Sequence, residues 1–82
     1  MEDMSITEKG VESVLKILGN SGFLPKSADT LVETQIRLVA ACKEYIKASV
    51  ARADVRTEQE ERDCLLVYCL QTYLQAALAS VN

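Results

Sequence analysis

Apolar residues recur at helical spacing in three separate stretches of the chain. Val11, Val14, Leu15 and Leu18 fall at i, i+3, i+4 and i+7, the single stripe of a short helix. Ser5-Ile6-Thr7-Glu8 has capping-box spacing, so this helix is predicted to start at about residue 6, after a frayed Met1 to Met4. Gly10 weakens it, and Gly19-Asn20-Ser21-Gly22 ends it at about residue 19. Phe23 and Leu24 are the apolar pair of the following loop and are expected to return to the core. Pro25 sets up the next start.

The second stretch predicts a helix over about 27–53, with Ser27 as its N-cap and Asp29 in its first turn, where the macrodipole favours an anion. Val32, Ile36, Val39, Ile46, Val50 and Ala53 keep a four-three rhythm interrupted by Lys43, which is expected to reach to solvent. Leu31, Leu38, Cys42 and Tyr45 form a second row beside the first. Two rows cover about half of a helix, more than one neighbour needs. The pattern therefore predicts contact with two neighbours.

Apolar spacing lapses at Ala53-Asp54-Val55-Arg56, and Thr57-Glu58-Gln59-Glu60 is a second capping box. A third helix is predicted over about 58–80, its acidic start matching the helix dipole. Residues 37–56 hold five basic and two acidic side chains, whereas 58–63 hold four acidic and one basic. A reversal near residue 55 brings these opposite charges together, which predicts an antiparallel hairpin. Each exposed pair adds under about 1 kcal/mol, so the charges mark the topology more than they hold it.

From Cys64 to Asn82 there are nineteen residues without one charge. Apolar side chains cover roughly 220° of this part of the third helix, and Cys64, Tyr68, Gln71, Thr72 and Gln75 fill the remainder. Such a helix needs cover from a partner protein, a second copy or lipid. Gln71 and Gln75 near the middle, and no basic residues just outside, disfavour a membrane span. Packing is assigned to Leu66, Leu70, Tyr73, Leu74, Ala77 and Leu78, and specificity to Tyr68, Gln71 and Gln75. These nine positions form the predicted interface.

Composition narrows the function classes. Eighty-two residues make one domain, 1–82, which buries only about 60% of its unfolded surface and gains from oligomerisation. The expected fold is all-α: a short N-terminal helix and a long antiparallel helical hairpin, completed by oligomerisation. Helices of this length overhang a globule of about 12 Å radius of gyration, so an elongated shape is expected. The net charge of −3 argues against a general nucleic-acid binder.

The chain has no histidine, which removes the usual general base and the commonest metal ligand. Cys42, Cys64 and Cys69 show no metal spacing and read as small packing residues. No phosphate loop, nucleophile elbow or metal constellation is present. No catalytic residue, cofactor or metal is therefore expected. Without a secretory signal, reduced thiols and a cytoplasmic location are expected.

The short helix, long helix and Arg56-Thr57 before another helix resemble a histone fold, where an arginine–threonine pair sits in the second loop. That resemblance implies a nucleoprotein component. Size and hairpin plan also resemble the helical-hairpin chaperone subunits of type III secretion systems, which implies a chaperone for a secretion or assembly system. An acidic inhibitor-type protein is a further reading of the charge. The principal expectation is a non-enzymatic interaction module or adaptor that dimerises, or binds a larger protein, through its C-terminal helix.

Overall fold

The computed structural model describes the backbone of residues 2–26 and 28–81 and the side chains of 9–26 and 28–80. It consists of three helices, α1 (Glu2–Asn20), α2 (Leu31–Ala51) and α3 (Glu58–Val81), with no strand among the described residues. Helices α2 and α3 pack closely as an antiparallel hairpin, and α1 lies across it, more on α3 than on α2. At 1.5 Å per residue the hairpin helices are about 31 and 36 Å long. The radius of gyration is 12.9 Å and the longest dimension 39 Å, against 27 and 20 Å for the others. The elongation expected from helix length is present.

Local chemistry sets most helix ends. At the end of α1, the Phe23 amide donates to the Leu18 carbonyl (2.8 Å) and the Gly22 amide to the Gly19 carbonyl (3.3 Å). Gly22 has φ +82°, the left-handed conformation that this Schellman closure requires. The closure returns Phe23 to the core, where its ring meets Tyr45 edge-on at 6.1 Å and 89°. Leu24 does not follow: it is 58% exposed, because the same turn that aims Phe23 inward leaves the next side chain outside.

The cap of α2 is Thr30, whose Oγ1 accepts from the Glu33 amide at 3.1 Å. The helix thus begins three residues after the expected start and ends at Ala51 rather than Ala53. Ser27, the predicted cap, lies outside the described residues. Asp29 precedes α2 rather than occupying its first turn. The capping box of α3 forms as expected: the Glu60 amide donates to Thr57 Oγ1 (3.2 Å), and Glu60 Oε1 accepts from the Thr57 amide (3.3 Å). Helix α1 begins at Glu2, within the segment expected to fray and ahead of the expected start at about residue 6, which places Ser5 within the helix and not at its cap. The side chains of Ser5 and Glu8 lie outside those described.

The core comprises Val14 and Leu18 of α1, Leu38, Val39, Cys42 and Tyr45 of α2, and Val67, Leu70 and Leu74 of α3. It takes Leu38, Cys42 and Tyr45 from the second row of α2 and Val39 from the first, is extended by buried Ser49, and leaves Leu31 of the second row 74% exposed. Val32, Ile36 and Val50 of the other row remain exposed, as does Lys43. Opposite charges meet across the turn as the hairpin requires, with Arg52 3.3 Å from Glu60 and Arg56 3.9 Å from Glu61. Arg56 Nη1 also donates to Ser49 Oγ at 2.9 Å, which satisfies a buried hydroxyl and ties the turn to α2.

Candidate functional site

Helix α3 turns one side to the core and presents an uncharged side to solvent. Val67, Leu70 and Leu74 are buried, while Leu65, Leu66, Tyr68 and Tyr73 are 65%, 38%, 55% and 57% exposed. Cys69, Thr72, Gln75, Ala76 and Ala79 are exposed too. At 100° per residue these positions, apart from Gln75 at its edge, occupy the half of the helix turned away from Val67. Leu65, Cys69, Thr72 and Ala76 run along its middle, with Tyr68 and Tyr73 on either flank. From Leu65 to Ser80 the arc is about 22 Å long. Its charged residues are confined to the first turns, at Glu58, Glu61 and Arg62.

The nine sequence-predicted positions divide by depth. Leu70 and Leu74 belong to the chain's own core, and Leu78 packs against it. Gln71 and Ala77 are half-buried. Leu66, Tyr68, Tyr73 and Gln75 face outward. The Gln71 Nε2 group donates to Gln75 Oε1 at 3.1 Å, and Thr72 Oγ1 donates to the Tyr68 carbonyl at 3.0 Å. The polar stripe thus satisfies much of its hydrogen bonding within α3. Among the described residues Leu65 is the most exposed large apolar side chain of α3, and it is not one of the nine sequence-predicted positions. Its helical phase relative to Val67 was the signal that places it on the outward arc.

Helix α1 occupies one side of the hairpin. Its C-terminal Asn20, with Ser21 and Phe23, shares a recess with Tyr45 and Ala48 of α2 and Glu60 and Asp63 of α3. On α2, Val32, Ile36 and Val50 sit about 120–180° round the helix from Tyr45 and Ala48. On α3, Tyr68 and Gln75 sit about 120–140° from Asp63. The exposed apolar flank of α2 therefore adjoins the Tyr68 edge of α3, on the side that α1 leaves open.

The thiols do not form a reactive centre. Cys42 is fully buried, and burial pushes its pKa up to about 11. Cys64 is half-buried and Cys69 exposed. Among the described residues no three His, Cys, Asp or Glu side chains gather as metal ligands, and no helix is long and apolar enough to cross a membrane. Comparison with known protein families, with curated proteins and with solved structures gives no significant match.

Proposed function

We propose that this protein is a small non-enzymatic interaction module whose contact surface is the outward arc of α3. The observation that carries the reading is that Leu65, Leu66, Tyr68 and Tyr73 are exposed together on a stretch without a charge. Surface helices ordinarily set charged residues against water. Aromatic residues are enriched where interfaces form, and charged ones are depleted from interface cores.

Magnitude limits what this arc does alone. Half of a helix about 10 Å across and 22 Å long offers on the order of 350 Å². A stable interface takes about 800 Å² from each partner. Contact through α3 alone belongs to the weak class; a lasting complex also uses Val32, Ile36 and Val50 on the adjoining flank of α2. The first occupant to test is a second copy, followed by a larger helical partner. Light scattering over a range of protein concentration, with mass spectrometry of material purified from the native host, tests the reading. A concentration-dependent dimer or a stoichiometric partner supports it; a monomer at every concentration that co-purifies with nothing overturns it.

A further inference from the structure

Val32, Ile36, Val39, Lys43, Ile46 and Val50 follow one another at alternating intervals of four and three, the spacing of a coiled-coil seam. The fold buries only part of this column. Val39 is buried and Ile46 half-buried, and together they form its floor. Val32, Ile36 and Val50 stand out about half exposed, with Lys43 exposed between them. No element among the described residues lies over it, because α1 packs on the other side of the hairpin. The column runs about 27 Å along α2.

Its symmetry and its charges both suit a second copy of the same helix. The spacing is palindromic about Ala41. An antiparallel copy therefore sets Val32 against Val50, Ile36 against Ile46 and Val39 against Lys43, and leaves no layer of the seam empty. Parallel copies would set each Lys43 directly against the other. The antiparallel register moves the two apart by about 6 Å along the axis. It also brings Lys47 within about 3 Å of level with the partner's Glu33. Both are exposed, on the flank of the seam turned away from α3. The pair forms twice by symmetry, and it disfavours the parallel arrangement, which opposes like charges.

The area is sufficient for a specific contact. With a helix about 10 Å across, the half of α2 around the column offers about 420 Å², and the adjoining strip of α3 through Cys64, Tyr68 and Gln75 about 170 Å². Two copies would cover about 1,200 Å² in all, the lower bound for a specific interface, which the arc of α3 does not reach alone. The hairpin reverses between Ala51 and Glu58, so Ala41 is level with Tyr68 of α3.

We infer that this face of α2 binds a second copy of the chain, as an antiparallel two-fold dimer with its axis beside Ala41 and Tyr68. Exposed Tyr68 then packs against the partner's Tyr68. Lys43 lays its stem over the partner's Val39 and sends its ammonium to water on the flank away from α3. A polar residue at one seam position fixes register at a cost in stability. The inference rests on the reading of the protein as an interaction module, and it names the occupant and the register of the α2 flank.

The test joins sedimentation equilibrium of the full-length chain, from micromolar to near-millimolar concentration, with cross-linking that reads the register. Cysteine is placed at one end of the column in a Cys64→Ala, Cys69→Ser background, where burial shields Cys42. Val32→Cys and Val50→Cys chains are treated with a short bismaleimide, each alone and mixed. The expected result is a dimer that links 32 to 50 in the mixture, while neither chain links to itself. Ile36→Lys changes an exposed position, so the fold is expected to persist by circular dichroism and dimerisation to weaken about tenfold or more. Lys43→Leu is expected to tighten the dimer, and Tyr73→Lys, on the far edge of α3, to leave it intact. Links of 32 to 32 or 50 to 50, or unchanged association in folded Ile36→Lys, overturn the inference. So does a dimer that Tyr73→Lys disrupts and Ile36→Lys does not, although that outcome supports the proposed function. A monomer that co-purifies with a larger protein likewise overturns the inference alone; a monomer without any partner overturns both.

Discussion

Leu74 and Tyr73 are neighbours in sequence and opposites in the fold, so substituting each in turn separates core from outward surface. Leu74 is 5% exposed and packs in the core, whereas Tyr73 is 57% exposed. Leu74→Ala removes three carbons of buried side chain, about 2.4 kcal/mol of transfer free energy at about 0.8 per methylene. The cavity left behind raises the expected cost to about 3–5 kcal/mol. A domain of this length has a total stability of roughly 4–12 kcal/mol, so the substitution removes a large share of it. Tyr73→Lys puts a charge into water and loses little packing, with an expected effect within about 0.5 kcal/mol. The assay is urea unfolding followed by far-ultraviolet circular dichroism, at a protein concentration low enough to keep the chain monomeric. With a slope of about 1 kcal/mol/M, Leu74→Ala lowers the midpoint by about 3 M or more and Tyr73→Lys barely moves it. Equal losses from the two would refute the orientation of α3, and a neutral Leu74→Ala would refute the core. At high concentration Tyr73→Lys should also abolish any self-association through the arc, a second effect that Leu74→Ala does not mimic in the fraction that remains folded.

Four further outcomes are expected. Gly10 lies inside α1 with no atom within 4 Å of where a β-carbon would stand, so Gly10→Ala should raise stability by about 0.5–1 kcal/mol in urea unfolding; a loss would contradict the open space there. Thr57→Ala removes the acceptor for the Glu60 amide and should cost about 1 kcal/mol, with earlier amide exchange in the first turn of α3. The Cys42 thiol titrates at 9.0 when unfolded and at about 11 when folded, so the folded state favours the protonated form. Its contribution is intact below pH 9 and is lost as pH rises from 9 toward 11, at up to about 1.4 kcal/mol per pH unit. Urea midpoints against pH should show this fall, and Cys42→Ala, less stable at the outset, should show a shallower one. Thiol-reactive probes at neutral pH should modify exposed Cys69 first and Cys42 only on unfolding.

Periodicity and capping residues made the three helices and the hairpin legible before any coordinates. The second capping box is a local device between Thr57 and Glu60, and it placed the start of α3 correctly. The charge reversal around residue 55 told which helices pair, and the Arg52–Glu60 contact follows from it. The phase of α2 was not legible. Both of its rows are apolar, and which positions of each turn inward depends on where α3 and α1 lie, information that no local window contains. The core took Leu38, Cys42 and Tyr45 from one row and Val39 from the other, and left Leu31, Val32 and Ile36 outside. For the same reason Leu70 and Leu74 and the exposed Leu66 carried equal weight in the sequence and have different roles in the fold. The start of α2 was misplaced because Ser27 and Thr30 are both good caps, and Thr30 is the one whose hydroxyl accepts from Glu33. The recess was hidden because its carboxylates, its phenol and the end of α1 come from three distant parts of the chain.

The uncharged outward arc of α3 has a thermodynamic consequence for anything that settles on it. With no ions to screen or release, such a contact is largely indifferent to ionic strength. It carries a negative heat-capacity change and loosens on cooling, as apolar burial does. Ionic strength and temperature therefore act differently on it: a complex on the arc persists in high salt and weakens in the cold.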